Sequence, residues 1–193
     1  MRYTESPESW TEPDDFLQRA YSEFLFKIPP GNALDLAGGA GRNSVYLLER
    51  GWNVTLMDIS EVGLALAKEK AAKAHRQECL CHTGLGCPSF LEASQIDLNT
   101  VTDLGTDQFD LIVCFYFLRR ELFPAILRAL KPGGFLVYRT YTIDRMKVAG
   151  GPDDPKYLLQ PNELLRAFSS LRVMDYHETT EGKAAAELIA WKS

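Results

Sequence analysis

The stretch Ala33–Ser60, ALDLAGGAGRNSVYLLERGWNVTLMDIS, gathers residues suited to holding a nucleoside. Gly39 and Gly41 let the backbone turn tightly and approach a ligand without side-chain collision. The helix that follows them presents unpaired N–H groups to a polar moiety. Asp58, at the end of the next apolar run, can accept two hydrogen bonds from ribose hydroxyls. The alternative is a glycine turn that only joins strand to helix, with Asp58 capping the following helix. Asp35 bears on which nucleoside is held. An acid at the end of the first strand repels a pyrophosphate and suits an ammonium group. The dinucleotide pattern G-x-G-x-x-G is also incomplete, because Ser44 stands at its third position. S-adenosylmethionine (SAM) has an ammonium, a sulfonium, a ribose and an adenine, and no phosphate.

These residues need elements to position them. EPDDFLQRAYSEFLFKIPPG begins as helix N-termini do and carries Phe16, Leu17, Ala20 and Phe24 at helical spacing. NALDLA reads as a first strand, RNSVYLLERG as an amphipathic helix ending at Gly51, and NVTLMD as a second strand. SEVGLALAKEKAAKAHR is a helix with Ser60 as N-cap, and QECLCHTGLGCPS a loop. FLEASQIDL and FDLIVCFYF are the third and fourth strands. RELFPAILRALKPGG is a helix whose regular part begins near Pro124, and FLVYRTYT is the fifth strand. After the long loop AGGPDDPKYLLQ come a short helix, PNELLRAF, and two strands, LRVMDYHET and AAAELIAWKS. Alternation of this kind predicts a parallel sheet with helices on both faces and an antiparallel hairpin at its edge. Ligands in such sheets bind beyond the carboxyl ends of the strands, near the switch in strand order.

At these residues the sequence resembles the class I SAM-dependent methyltransferases. DLAGGAG matches the family's first motif, with Ala37 where glycine is common. Asp58 matches the acid of the second. IDL matches the motif after the third strand, and LKPGGFLVY the turn into the fifth. GRNSVYLLERGWNVTLMDIS, FDLIVCFYFLRRELFP, LKPGGFLVYRTYT and LLQPNELLRAF resemble the small tellurite-resistance-type (TehB-like) branch. The resemblance implies an α/β, doubly wound, Rossmann-like sheet of seven strands, mostly parallel, with an antiparallel C-terminal hairpin. It implies SAM as cofactor and S-adenosylhomocysteine as product. The cofactor-binding positions carried over are Asp35, Ala37, Gly39, Gly41, Arg42, Asn43, Asp58, Ile59, Asp97, Leu98 and Cys114. Asp97 would meet the adenine amino group and Leu98 its neighbouring face. Two positions depart from the branch: Arg119 where histidine is common, and Arg139 where glutamate is common.

The acceptor side can be read from the residues. Methyl transfer from a sulfonium is an in-line displacement with a neutral leaving group, so a soft nucleophile needs alignment and desolvation rather than a base. His75, His82 and His177 read as surface or satisfied histidines. Arg119, Arg120, Arg139, Arg145 and Lys147 lie on or after the fourth and fifth strands, where guanidinium groups can pair with an oxyanion. The bland reading is that they are solvated. Tyr116 and Phe117 flank the same strand end, where one aromatic would line the site and the other point inward. The candidates for the reacting centre are therefore Tyr116, Arg119 and Arg120, with Arg139 and Arg145 on the substrate.

A chain of 193 residues, 46% hydrophobic and with a formal charge of -5, suits one globular domain and disfavours broad nucleic-acid binding. The polar start, MRYTESPESW, is unlike a signal peptide, and no apolar run is long enough to span a membrane. These features lead to an expectation of a cytoplasmic monomer or homodimer, with residues 1–12, including Trp10, as a tail or a lid. Cys79, Cys81 and Cys87 read as free thiols in a loop, with no metal, and Cys114 as core. The expected acceptor is small and soft or anionic, a chalcogen oxyanion or a thiol. The rivals are a carboxylate or hydroxylated metabolite, and a SAM-binding protein without catalysis.

Overall fold

The computed structural model describes residues 12–81, 89–148 and 154–193, with the backbone alone for 75–81. Trp10, His82 and Cys87 therefore lie outside the described residues, as do the side chains of His75, Cys79 and Cys81. The elements run α1 (Asp15–Glu23), β1 (Asn32–Leu36), α2 (Arg42–Leu48), β2 (Asn53–Asp58), α3 (Glu61–Cys81), β3 (Leu91–Gln95) and β4 (Phe109–Phe115). They continue α4 (Phe123–Ala129), β5 (Leu130–Tyr141), α5 (Glu163–Ala167), β6 (Arg172–Glu178) and β7 (Ala185–Trp191).

The seven strands form one sheet in the order β3-β2-β1-β4-β5-β7-β6. Neighbours from β3 to β5 pair in parallel, and β7 lies antiparallel between β5 and β6. This is the expected mostly parallel α/β sheet with its antiparallel hairpin. Strand order reverses about β1, which pairs with β2 on one side and β4 on the other. The carboxyl ends of β1, β2, β4 and β5 consequently share one rim.

Side-chain alternation splits the core in two. Leu34, Leu36, Ile112, Leu136 and Tyr138 face α4 and α5, meeting Ile126, Leu164 and Phe168. Ala33, Val54, Leu111, Val113 and Val137 face α1 and α2, meeting Phe16, Leu17, Leu47 and Leu48. Leu56 packs on Leu64 and Ala67 of α3.

Three boundaries differ from the expectation. The α3 backbone continues to Cys81, because AAKAHRQECLC is made of residues compatible with a helix and meets no glycine before Gly84. Cys79 and Cys81 thus lie on a helix backbone rather than in a loop. β3 stops at Gln95, ahead of the Asx turn at Asp97. α4 ends at Ala129, and Lys131–Gly134 belong to β5, across a register shift between Phe109 and Leu111. Pro124 sits in the first turn of α4, as its lack of an N–H favours.

Candidate active site

The loop after β1 is built on left-handed backbone. Ala37, Gly39 and Gly41 have φ of 56°, 55° and 71°. The Ala37 N–H donates to the Met57 carbonyl at 2.8 Å, which ties the loop to β2. A Cβ added at Gly41 would lie 2.5 Å from the Ala67 Cβ of α3. Only glycine combines that φ with that approach. Ala37 adopts a similar φ without being glycine, so its backbone carries strain.

Asp58 stands where this loop meets the end of β2. One carboxylate oxygen accepts the Gly39 N–H at 2.8 Å, and the other accepts the Ser60 N–H at 2.8 Å. Ser60, not Asp58, caps α3, its hydroxyl accepting the Gly63 N–H at 3.1 Å. The capping alternative therefore does not describe Asp58, which clasps the glycine loop. Beside it, Ile59 is 60% exposed, a large apolar side chain with an uncovered face. Asp97 follows β3 and accepts both the backbone N–H and the side-chain amide of Asn99 on one oxygen. Leu98 is buried in the core.

Asp35 is fully buried. One oxygen accepts the Ser44 hydroxyl at 2.6 Å, and the other has no partner. Desolvation lifts its pKa to about 7; the Ser44 hydrogen bond opposes the lift and the Asp58 charge adds to it.

The other candidate side chains are engaged elsewhere. The Asn43 side-chain oxygen accepts the Asp14 N–H at 2.9 Å, and Arg42 pairs with the Asp14 carboxylate at 3.2 Å. Both fasten α1 to α2 beside the glycine loop. The Cys114 thiol points into the core beside Tyr138, and burial pushes it up to about 12. It packs in the core, as the sequence reading expects.

The arginines after β4 and on β5 have partners within the fold. Arg120 makes a two-pronged pair with Glu163, at 2.6 and 2.9 Å, and donates to the carbonyls of Lys156 and Leu158. It anchors the segment leading into α5. Arg119 donates to the carbonyls of Leu98 and Val101 and so ties down the loop after β3. Arg139 is buried among acids: Asp14 at 2.6 Å, Asp15, and Glu187 at 3.1 Å. Its charge is already matched within the fold.

A different group gathers at the ends of β4 and β5. Tyr116 has a φ of 56° and its ring lies 4.9 Å from that of Tyr141. The Arg145 guanidinium lies over Tyr141 at 5.2 Å. The Lys183 ammonium, from the turn between β6 and β7, is 3.5 Å from the Tyr116 hydroxyl. Burial, reinforced by the Asp14 charge, raises the Tyr116 phenol well above its ordinary range, so it remains a donor. Sequence reasoning picked out Tyr116 and Arg145 and missed Tyr141, Lys183 and the acids Asp14, Asp15 and Glu187. Asp14 and Asp15 were visible only as a helix start.

A model of the methyltransferase domain family matches residues 34–136. The chain is 27% identical over 159 residues to the Probable S-adenosyl-L-methionine-dependent methyltransferase TehB of Haemophilus influenzae, over 78% of this chain and 49% of that protein. It is 29% identical over 112 residues to the Ubiquinone biosynthesis O-methyltransferase of Idiomarina loihiensis, over 55% of this chain and 41% of that one. The chain thus spans about half the length of the curated relatives it matches. The crystal structure of TehB from Haemophilus influenzae shares the fold, with a TM-score of 0.65 at 21% identity over 93% of this chain and 62% of that one. No helix among the described residues is long and apolar enough to cross a membrane. A glycine loop clasped by an acid at the switch point, in a chain whose family model spans β1 to β5, leads to one assignment: the chain belongs to the methyltransferase domain family, in its class I, SAM-dependent form.

Proposed function

We propose that the protein methylates a small, soft or anionic acceptor, such as a chalcogen oxyanion or a thiol. SAM supplies an electrophilic methyl group on a sulfonium. The residues at the rim fit this cofactor. Asp58 keeps acceptor capacity on both oxygens beyond the Gly39 and Ser60 N–H groups, which suits a pair of ribose hydroxyls. The uncovered Ile59 side chain offers an apolar face to adenine, and Asp97 an acceptor to its amino group. The unpartnered oxygen of Asp35 lies behind the glycine loop, where a cationic end of the ligand would offset its burial.

On the acceptor side this chain supplies positioning and dryness rather than a base. Tyr116 is held protonated, and its ring lies against that of Tyr141, an apolar wall that would help desolvate an acceptor. Such a site suits an acceptor that brings its own lone pair. The observation carrying the reading is the Asp58 clasp at the carboxyl ends of β1 and β2.

Calorimetric titration with SAM and S-adenosylhomocysteine tests the cofactor assignment. Asp58→Ala should weaken both by about 1.5–3 kcal/mol, more than tenfold. Unchanged affinity would reduce Asp58 to a loop clasp. Release of S-adenosylhomocysteine with selenite, tellurite, thiols, small carboxylates and phenols then tests the acceptor class. Turnover with phenols alone would defeat it.

A further inference from the structure

The cations around the acceptor side are not equivalent. Arg119 is held by backbone carbonyls, Arg120 by Glu163, Arg139 by Asp14, Asp15 and Glu187, and Lys147 by Asp144. Arg145 differs from all of these. Among the described residues its side chain has neither an ion pair nor a hydrogen bond, and its Nε is buried without a partner. Its one contact of charge is with the face of Tyr141.

The described acids of this rim are already committed. Asp15 faces Arg139 and Lys183, Asp144 faces Lys147, and Glu187 faces Arg19 and Arg139. A half-buried guanidinium without an anion is unfavourable, and a ring face offsets only part of that. No acid of this rim among the described residues is left to pair with it, which leaves room for an anion brought by a ligand.

The surroundings define what it would be. Arg145 sits in the 3₁₀ turn Ile143–Lys147, directly after β5. Thr142, at the head of that turn, donates its N–H to the Ala184 carbonyl at 2.9 Å, which draws Lys183 to the same rim. Arg145, Tyr141, Tyr116 and Lys183 thus form a row in which two cations flank two rings.

Building on the methyl-transfer reading, we propose that Arg145 is the counter-ion of the methyl acceptor. The acceptor's oxyanion group lies on the open N–H edge of the guanidinium, and its body lies against Tyr116 and Tyr141. Lys183 adds a second, longer-range attraction. The same chemistry is offered by a chalcogen oxyanion and by the carboxylate of a small organic acid.

The test is calorimetric titration of the protein loaded with S-adenosylhomocysteine, using selenite and benzoate as probes. Wild type should bind at least one. Arg145→Gln should weaken that binding by about tenfold or more, and Arg145→Lys should restore most of it. Selenite alone binding would assign the inorganic source, and benzoate alone the organic one. Neither anion binding wild type, or Arg145→Gln binding as tightly as wild type, overturns the proposal. SAM affinity, measured on the same proteins, should be unchanged by either substitution. Wild type failing to bind SAM would instead overturn the cofactor reading and this inference with it.

Discussion

Asp14 and Arg139 meet at 2.6 Å with both side chains buried, so the N-cap of α1 is locked to the carboxyl end of β5. The same Asp14 caps Phe16 and pairs with Arg42 at the start of α2. One carboxylate thereby joins the strand end on the acceptor side to the helix after the glycine loop. The two halves of the candidate site are held in register through this one carboxylate.

Arg139→Ala should therefore destabilise the fold by about 3–5 kcal/mol, since buried Asp14 then keeps only its longer pair with Arg42. Urea unfolding at neutral pH measures this. A loss below about 1 kcal/mol would mean that water replaces the guanidinium.

Asp35 predicts an inverted pH dependence. Its pKa in the fold is about 7, against 3.8 for the ordinary aspartate. Between these values the native state holds a proton that the unfolded chain has released, so stability falls as pH rises and levels off above about 7. Asp35→Asn removes this slope and should be the more stable form at pH 8, by an amount on the order of a few kcal/mol. Denaturant midpoints from pH 5 to 8 decide it. Equal slopes for the two proteins would show that Asp35 is ionised throughout.

Ala37→Gly is expected to be neutral or stabilising, by roughly 0–1 kcal/mol. The left-handed φ of 56° strains alanine and not glycine, which outweighs the extra freedom of glycine in the unfolded chain. Thermal unfolding gives the answer. A loss greater than about 1 kcal/mol would show that the Ala37 methyl matters more to the core than its backbone strain.

For Arg120 the expected effect is on structure. Arg120→Ala should lower stability by about 1–2 kcal/mol and loosen residues 155–163, because Glu163 loses a two-pronged partner and two carbonyls lose a donor. Hydrogen exchange across that segment should rise. Unchanged protection together with a large rise in acceptor KM would return Arg120 to the acceptor.

What the sequence made legible follows from range. The glycines of the first loop, Ser60 as a cap, Pro124 at a helix start and the strand periodicities are local signals, and they led to the right sheet. Asp58 was legible because its partners, Gly39 and Ser60, belong to the same short unit. The partners that the arginines find within the fold were not legible, since they are distant in the chain. Arg139 answers to Asp14, 125 residues away in the chain, and Arg120 to Glu163, 43 residues away. A cation at a strand end looks the same in sequence whether its acid comes from the fold or from a ligand. The sequence reading ends α3 near Arg76, although the helix continues through Cys81, because cysteine is a weak helix former and gives no local signal of continuation.

The position of β7 has a consequence for the order in which the molecule can be made. β6 precedes β7 in the chain, yet its only place in the sheet is beside β7, which lies between it and β5. A chain emerging residue by residue can assemble β3, β2, β1, β4 and β5 while β6 still has no neighbour to bond. Ala185–Trp191 must appear before β6 finds its edge, and the antiparallel ladder on β5 forms in the same event. Completion of the rim at β5, with Arg139 facing Glu187 and Lys183 brought to Tyr116, is thereby deferred until β7 is translated, well after the glycine loop has all its parts.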